Sequence, residues 1–158
     1  MTDKPIRVYA DTSVFGGVFD EEFAGPSRAF FDLVQEGRFD LVLSTVVRDE
    51  LDDAPSQVKE LFDRIRLIAE IVDVSESAIR LQRAYLETGV LAPTWAADAL
   101  HVAVATVCDC RLIVSWNFKH IVNFHKIPLY NGTNLASGYS PIAIHSPQEV
   151  VVDEDQDV

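Results

Sequence analysis

The stretch IRVYADTS, residues 6–13, decides the fold. The mostly apolar run Ile6–Ala10 predicts a short buried strand, of the kind found in parallel sheets that are covered on both faces. The polar residues after it, together with Gly16 and Gly17, predict a turn. Asp11 therefore falls at the carboxyl end of a buried strand.

Strand and helix patterns alternate along the rest of the chain. Predicted strands cover residues 40–44, 69–74, 112–115 and 142–144, and predicted helices begin near Pro26, Ser44 or Thr45, Pro55, Ser75 and Pro93. This alternation predicts right-handed crossovers and an α/β fold with three layers, α/β/α, around a mostly parallel central sheet. Ligands of such sheets bind outside the carboxyl ends of the strands.

Length and charge set limits on the class of protein. The chain has 158 residues and 48% hydrophobic content, which predicts a single domain over residues 1–148 and a partly disordered acidic tail over residues 149–158. With 25 acidic and 13 basic residues the net charge is -12, which disfavours a simple nucleic-acid coat protein because phosphates are repelled. A bound divalent cation would offset that repulsion locally.

Compartment and redox state follow from features that the sequence lacks. It has no apolar run long enough to span a bilayer and no apolar stretch typical of a secretory signal, which predicts a cytoplasmic protein without membrane contact. Cys108 and Cys110 are one residue apart, a spacing that fits neither a disulfide framework nor a zinc site. We interpret them as core thiols between a helix and a strand.

Three carboxylates occupy positions where chemistry is expected. Asp11 ends the first strand, Glu50 follows the second, and Asp98 interrupts an otherwise apolar helix. Clustered carboxylates favour a hard cation such as magnesium or manganese. Each residue also has a plainer interpretation: Asp11 as a turn cap, Glu50 as a solvated helix residue, and Asp98 as the partner of an arginine.

Four motifs give these residues a family context. In order, VYADTSVF, VVRDEL, AADALHVAVA and LIVSWNFKHI, followed by a closing YSPIAIHSPQEV, resemble the PIN-domain family, and particularly the VapC-like toxin nucleases, along nearly the whole chain. The resemblance implies an endoribonuclease that uses Mg²⁺ or Mn²⁺. It assigns metal binding and catalysis to Asp11, Glu50 and Asp98, with the hydroxyl of Ser13 as a supporting group.

One position departs from that pattern. Where many members have a further Asp after the fourth strand, this chain has Asn117, whose uncharged amide is a weaker ligand and puts a second metal in doubt. The neighbouring Lys119 and His120 are candidate contacts to substrate phosphate. His101, three residues after Asp98, is either a metal ligand or, as we prefer, a hydrogen-bonded core residue.

Three functions remain to be weighed. The resemblance implies RNA hydrolysis by an activated water, with the 3′ oxygen leaving, and it also implies a small antitoxin partner and a homodimer. Asn117 keeps open an inactive PIN domain that binds RNA or protein without cleaving. A phosphatase of the haloacid-dehalogenase class is disfavoured because that chemistry needs a second acid where this chain has Ser13.

Overall fold

The fold is built on a fully parallel sheet. A computed structural model of the protein describes residues 4–151. Its five strands lie in the order β3-β2-β1-β4-β5. The strands are β1 (Ile6–Ala10), β2 (Phe39–Ser44), β3 (Glu70–Val72), β4 (Leu112–Val114) and β5 (Ala143–His145).

Helices cover this sheet. They are α1 (Thr12–Gly17), α2 (Ala24–Gln35), α3 (Thr45–Glu50), α4 (Ser56–Ile65), α5 (Glu76–Glu87), α6 (Ala96–Val107), α7 (Ile127–Ala136) and α8 (Pro147–Val150), with short 3-10 turns at Leu51–Asp53, Arg66–Ile68 and Pro93–Trp95. The predicted three-layer α/β/α fold with a parallel central sheet is confirmed. Among the described residues, no helix combines the length and the apolar character needed to cross a membrane.

The central position of β1 follows from its sequence. Val8, Tyr9 and Ala10 are fully buried, and β1 pairs with β2 on one side and β4 on the other. In the register, Tyr9 lies between Val42 of β2 and Ile113 of β4. The carboxyl ends of the three middle strands consequently meet at the edge of the sheet where the sequence places Asp11.

The segment after β1 differs from the predicted turn. Residues Thr12–Gly17 form helix α1, because the carboxylate of Asp11 caps the helix by accepting a hydrogen bond from the Ser13 backbone N–H. Gly17 allows a close approach: a Cβ there would lie 2.5 Å from Ser27 Oγ and 2.7 Å from Trp116 Nε1. The helix therefore packs directly on the segment that follows β4.

Helix α8 closes the described part of the chain. Its start has a capping box in which Ser146 and Glu149 exchange side-chain and backbone hydrogen bonds. Val150 and Val151 pack against the hydrophobic core. The remaining residues of the predicted acidic tail, 152–158, lie outside the described residues.

Candidate functional site

Asp11 is a buried carboxylate surrounded by hydroxyl groups. Only 4% of it is exposed. Ser13 Oγ donates to Oδ1 at 2.6 Å, and Ser115 Oγ donates to Oδ2 at 2.6 Å. Burial raises the pKa of Asp11, against the opposing influence of His101, Ser115 and Ser13. The two hydroxyl groups thus hold the carboxylate in place without adding a positive charge beside it.

The pairing of β1 with β4 brings those hydroxyls together. The Asp11 backbone N–H donates to the Val114 carbonyl at 3.3 Å, which places Ser115 directly beside Asp11. The Trp116 backbone N–H in turn donates to Ser13 Oγ at 2.9 Å. Ser13 thus contacts Asp11, its supporting role in a metal site stays a prediction, and Ser115 is a second contact that sequence reasoning did not assign.

Glu50 lies at the end of α3 and bonds to two other elements. Its Oε1 accepts hydrogen bonds from the Thr12 hydroxyl and from His101 Nε2, the latter at 2.7 Å. The Glu50 side chain is 36% exposed. Burial alone would raise the pKa of Glu50, but the hydrogen bonds and charge from His101 and Thr12 together lower it. Glu50 is therefore tied to the residue that follows Asp11.

His101 is the buried centre of a hydrogen-bond chain. It is 2% exposed, and its Nδ1 lies 2.7 Å from the hydroxyl of Tyr9, which lies 2.7 Å from Ser44 Oγ. Because a carboxylate only accepts, Nε2 carries the hydrogen that bonds to Glu50. The structure agrees with the preferred interpretation of His101 as a hydrogen-bonded core residue.

Asp98 bonds to the segment after β4. Its Oδ2 accepts from His120 Nδ1 at 2.8 Å, and the His120 backbone N–H donates to Asn117 Oδ1 at 2.9 Å. Tyr130 Oη donates to the His120 carbonyl at 2.9 Å. His120 is thus mostly buried against Asp98, and the side chain of Asn117 shapes the loop that holds it.

Of the three predicted acids, Glu50 hydrogen-bonds to His101, and the other two influence its pKa through their charge. Burial by itself would lower the pKa of His101, but Glu50, Asp11 and Asp98 together raise it. All three carboxylates therefore act electrostatically on the same buried imidazole. Asp11 follows β1, Glu50 ends α3 and Asp98 lies in α6. Hydrogen bonds of His101 in α6 with Tyr9 of β1 and with Glu50 of α3 hold these elements together.

The donor types fit a hard divalent cation. Within residues 4–151, Glu50 Oε2 and Asp98 Oδ1 accept no hydrogen bond, so each carboxylate keeps an oxygen for a ligand. In that same part of the chain, no three acidic, histidine or cysteine side chains are already gathered in the arrangement of a metal site. The donor atoms are thus of the type that a hard cation prefers, but the described part of the chain does not bring three of these side chains together as a metal site.

Sequence reasoning missed several members of this cluster. Ser115 directly follows β4 and Thr12 directly follows Asp11 at the end of β1, and those positions were the available signal for both. Tyr9 lies inside a buried strand and Trp95 lies in the turn before α6, so neither carried a motif. Lys119, a predicted phosphate contact, has its Nζ 5.5 Å from the centroid of the Trp95 ring.

Comparison with known proteins supports the fold. No protein-family model matches the sequence, and no curated protein matches it either. Among solved structures, the fold resembles a chain in the crystal structure of VapBC2 from Rickettsia felis bound to a DNA fragment from their promoter. The TM-score is 0.60 at 16% sequence identity, covering 89% of this chain and 98% of that chain. The PIN-like fold predicted from the motifs is thereby confirmed.

Proposed function

We propose that the protein is a metal-dependent endoribonuclease and the toxin of a toxin–antitoxin pair. The observation that carries the proposal is that Asp11, Glu50 and Asp98 lie at the carboxyl edge of a PIN-like sheet, where Glu50 hydrogen-bonds to His101 and to Thr12, the residue after Asp11. Clustered carboxylates beside a buried titratable group are typical of active sites. The proposed substrate is RNA, and the proposed cation is Mg²⁺ or Mn²⁺.

In this proposal the three acids hold the cation and the surrounding residues orient them. Ser13 and Ser115 fix both oxygens of Asp11, while Thr12 and His101 fix one oxygen of Glu50. When bound, a divalent cation lowers the pKa of a water and stabilises charge on the phosphate. A buried carboxylate held by hydroxyls is costly without such a cation, which supports its assignment as a ligand.

The proposed protein partners come from the structural neighbour and the motifs. That neighbour is a complex of two proteins, VapB and VapC, with DNA. We accordingly propose a small antitoxin as a partner of this chain, and a homodimer as its assembly. Size-exclusion chromatography with light scattering tests the second point, since a homodimer gives twice the 17.6 kDa mass of the chain.

Cleavage of single-stranded RNA tests the activity. We expect cleavage in Mg²⁺ or Mn²⁺, none in chelator, and loss of cleavage in Asp98→Asn because an amide holds a hard cation less well. Asp109→Asn is the matched control, since Asp109 has a positive φ of 60° that asparagine also adopts and lies at the other end of the sheet. Undiminished cleavage in chelator would contradict the proposal.

The alternative function is a PIN domain that binds RNA or protein without cleaving. Asn117 favours it, because its amide oxygen accepts from the His120 backbone N–H and adds no negative charge to the site. Asn117→Asp preserves that acceptor and adds a charge, so we expect tighter metal binding by calorimetry. RNA binding without cleavage in any divalent metal would favour the alternative.

A further inference from the structure

Trp95 stands directly beside the proposed active site. It ends the 3-10 turn Pro93–Trp95 and precedes α6, three residues before Asp98. Its ring lies 4.3 Å from the His120 ring at an interplanar angle of 32°, and His120 bonds to Asp98 at 2.8 Å. The imidazole of His120 therefore contacts both the indole of Trp95 and the carboxylate of Asp98.

The indole is accessible, and a cation lies next to it. Trp95 is 41% exposed, and Lys119 Nζ is 5.5 Å from its ring centroid. Because the ammonium lies over the ring, this exposed indole offers a nucleic acid two contacts once the lysine side chain moves aside, one from the ring to a base and one from the ammonium to a phosphate. Duplex bases are already stacked on each other, so the base contact requires a single strand.

The negative net charge of the protein favours an RNA contact that does not depend on electrostatic attraction. With a net charge of -12, the chain repels a phosphate backbone, so the usual electrostatic contribution to RNA affinity is small or unfavourable. Base stacking on an aromatic side chain needs no positive charge and contributes strongly at each base. An exposed tryptophan at the site can therefore supply RNA affinity that the negative net charge does not.

We propose that Trp95 is a stacking platform for an unpaired base of single-stranded RNA, with Lys119 binding the adjoining phosphate. The proposal rests on the proposed nuclease function and adds to it the form of the substrate and its anchor. RNA is favoured over a protein partner as the occupant, because the indole is joined through His120 to a proposed metal ligand and has an ammonium beside it.

Binding of a labelled single-stranded RNA of about ten nucleotides, followed by fluorescence anisotropy, tests this proposal. Asp11→Asn serves as the background for every variant, so that the RNA is not cut during the measurement. On that background we expect Trp95→Ala and Trp95→Leu to weaken binding roughly 5- to 150-fold, and Trp95→Phe to retain most of the affinity. Phe124→Ala is the matched control, because Phe124 is 85% exposed and its ring packs on His125.

Two further arms identify the contact. A single abasic nucleotide moved along the RNA should weaken binding at one position, and Trp95→Ala should remove that dependence on position. The effect of Lys119→Ala should shrink as salt is raised, whereas the effect of Trp95→Ala should not. Circular dichroism melting checks that every variant folds.

The outcomes separate this inference from the function on which it rests. If the wild-type chain cleaves RNA but Trp95→Ala binds it as tightly as the background does, the platform is overturned and a protein partner becomes the better occupant. Equal affinity for duplex and single-stranded RNA would also overturn it. If the wild-type chain neither binds nor cleaves RNA, the proposed nuclease function fails as well.

Discussion

The charged residues at the two ends of strand β1 lie in opposite environments. At the amino end, Arg7 forms an ion pair with Glu70 in which both side chains are substantially exposed, and it also donates to the Cys108 carbonyl at 2.9 Å. At the carboxyl end, Asp11 is buried and accepts from the hydroxyls of Ser13 and Ser115. One end pairs opposite charges in water, and the other buries a carboxylate whose side-chain hydrogen-bond donors are neutral hydroxyl groups.

The difference indicates that the fold gives up stability at the end of β1 where we propose the active site. An exposed ion pair contributes about 0–1 kcal/mol and costs little to form. A buried carboxylate that is not directly bonded to a cationic group costs several kcal/mol, which hydrogen bonds to hydroxyls only partly offset. Such an arrangement is expected at functional sites, where departures from the most stable solution are concentrated.

The largest effect should follow from neutralising the buried end. We expect Asp11→Asn to lower RNA cleavage at least about 100-fold, since a metal site contributes several kcal/mol to catalysis. Its melting temperature should stay the same or rise, because a neutral amide avoids the cost of a buried charge. Asp40→Asn, on the exposed start of β2, is the control and should change neither quantity. A lower melting temperature for Asp11→Asn would indicate instead that the Asp11 carboxylate stabilises the fold.

Breaking the buried chain behind Glu50 should cost stability. Tyr9→Phe removes the hydroxyl that bonds to both His101 and Ser44, and leaving buried groups unpaired costs about 1–3 kcal/mol of unfolding free energy. Urea denaturation measures the loss. Adding Ser44→Ala should cost less in the Tyr9→Phe background than in the wild type, because the partner is already absent. Additive losses would show that the two hydroxyls do not interact.

Near the amino end of β1, the burial of Cys110 should affect the unfolding free energy at alkaline pH. Burial raises the pKa of Cys110 to about 12, with Arg7 acting in the opposite direction. Between the ordinary pKa of a thiol and this raised pKa, the thiol is protonated in the folded chain and ionised in the unfolded chain. Its contribution to the unfolding free energy is therefore complete below about pH 9 and is lost as pH rises toward 12. Cys110→Ala should therefore flatten the fall in unfolding free energy between pH 9 and 10. An unchanged slope would show that other groups cause it.

The smallest effect should come from the exposed ion pair. Glu70→Gln removes the charge that faces Arg7 while leaving the hydrogen bond from Arg7 to the Cys108 carbonyl in place. We expect the unfolding free energy to change by less than about 1 kcal/mol, and the change to vanish in high salt. A larger, salt-independent loss would mean that the two ends of β1 are less different than their exposure indicates.

Local patterns in the sequence were enough for the architecture. The alternation of apolar strands with helical repeats predicted the parallel sheet, and Ser75 was correctly expected to cap a helix, since its hydroxyl accepts from the Ala78 backbone N–H. The same patterns placed Asp11 after β1 and Glu50 after β2. Helix α1 was wrongly expected to be a turn, because its stability depends on the cap from Asp11 and on the packing of Gly17 against Trp116.

The sequence by itself therefore determined the fold class and the positions of three acids along the chain, because strand and helix periods are local properties. Only the tertiary structure decided what those acids touch. Tyr9 and His101 are separated by 92 residues, and His101 and Glu50 by 51, so no local period connects them. Their contacts arise because β1, α3 and α6 pack at one edge of the sheet. The contact between Trp95 and His120 likewise depends on tertiary packing.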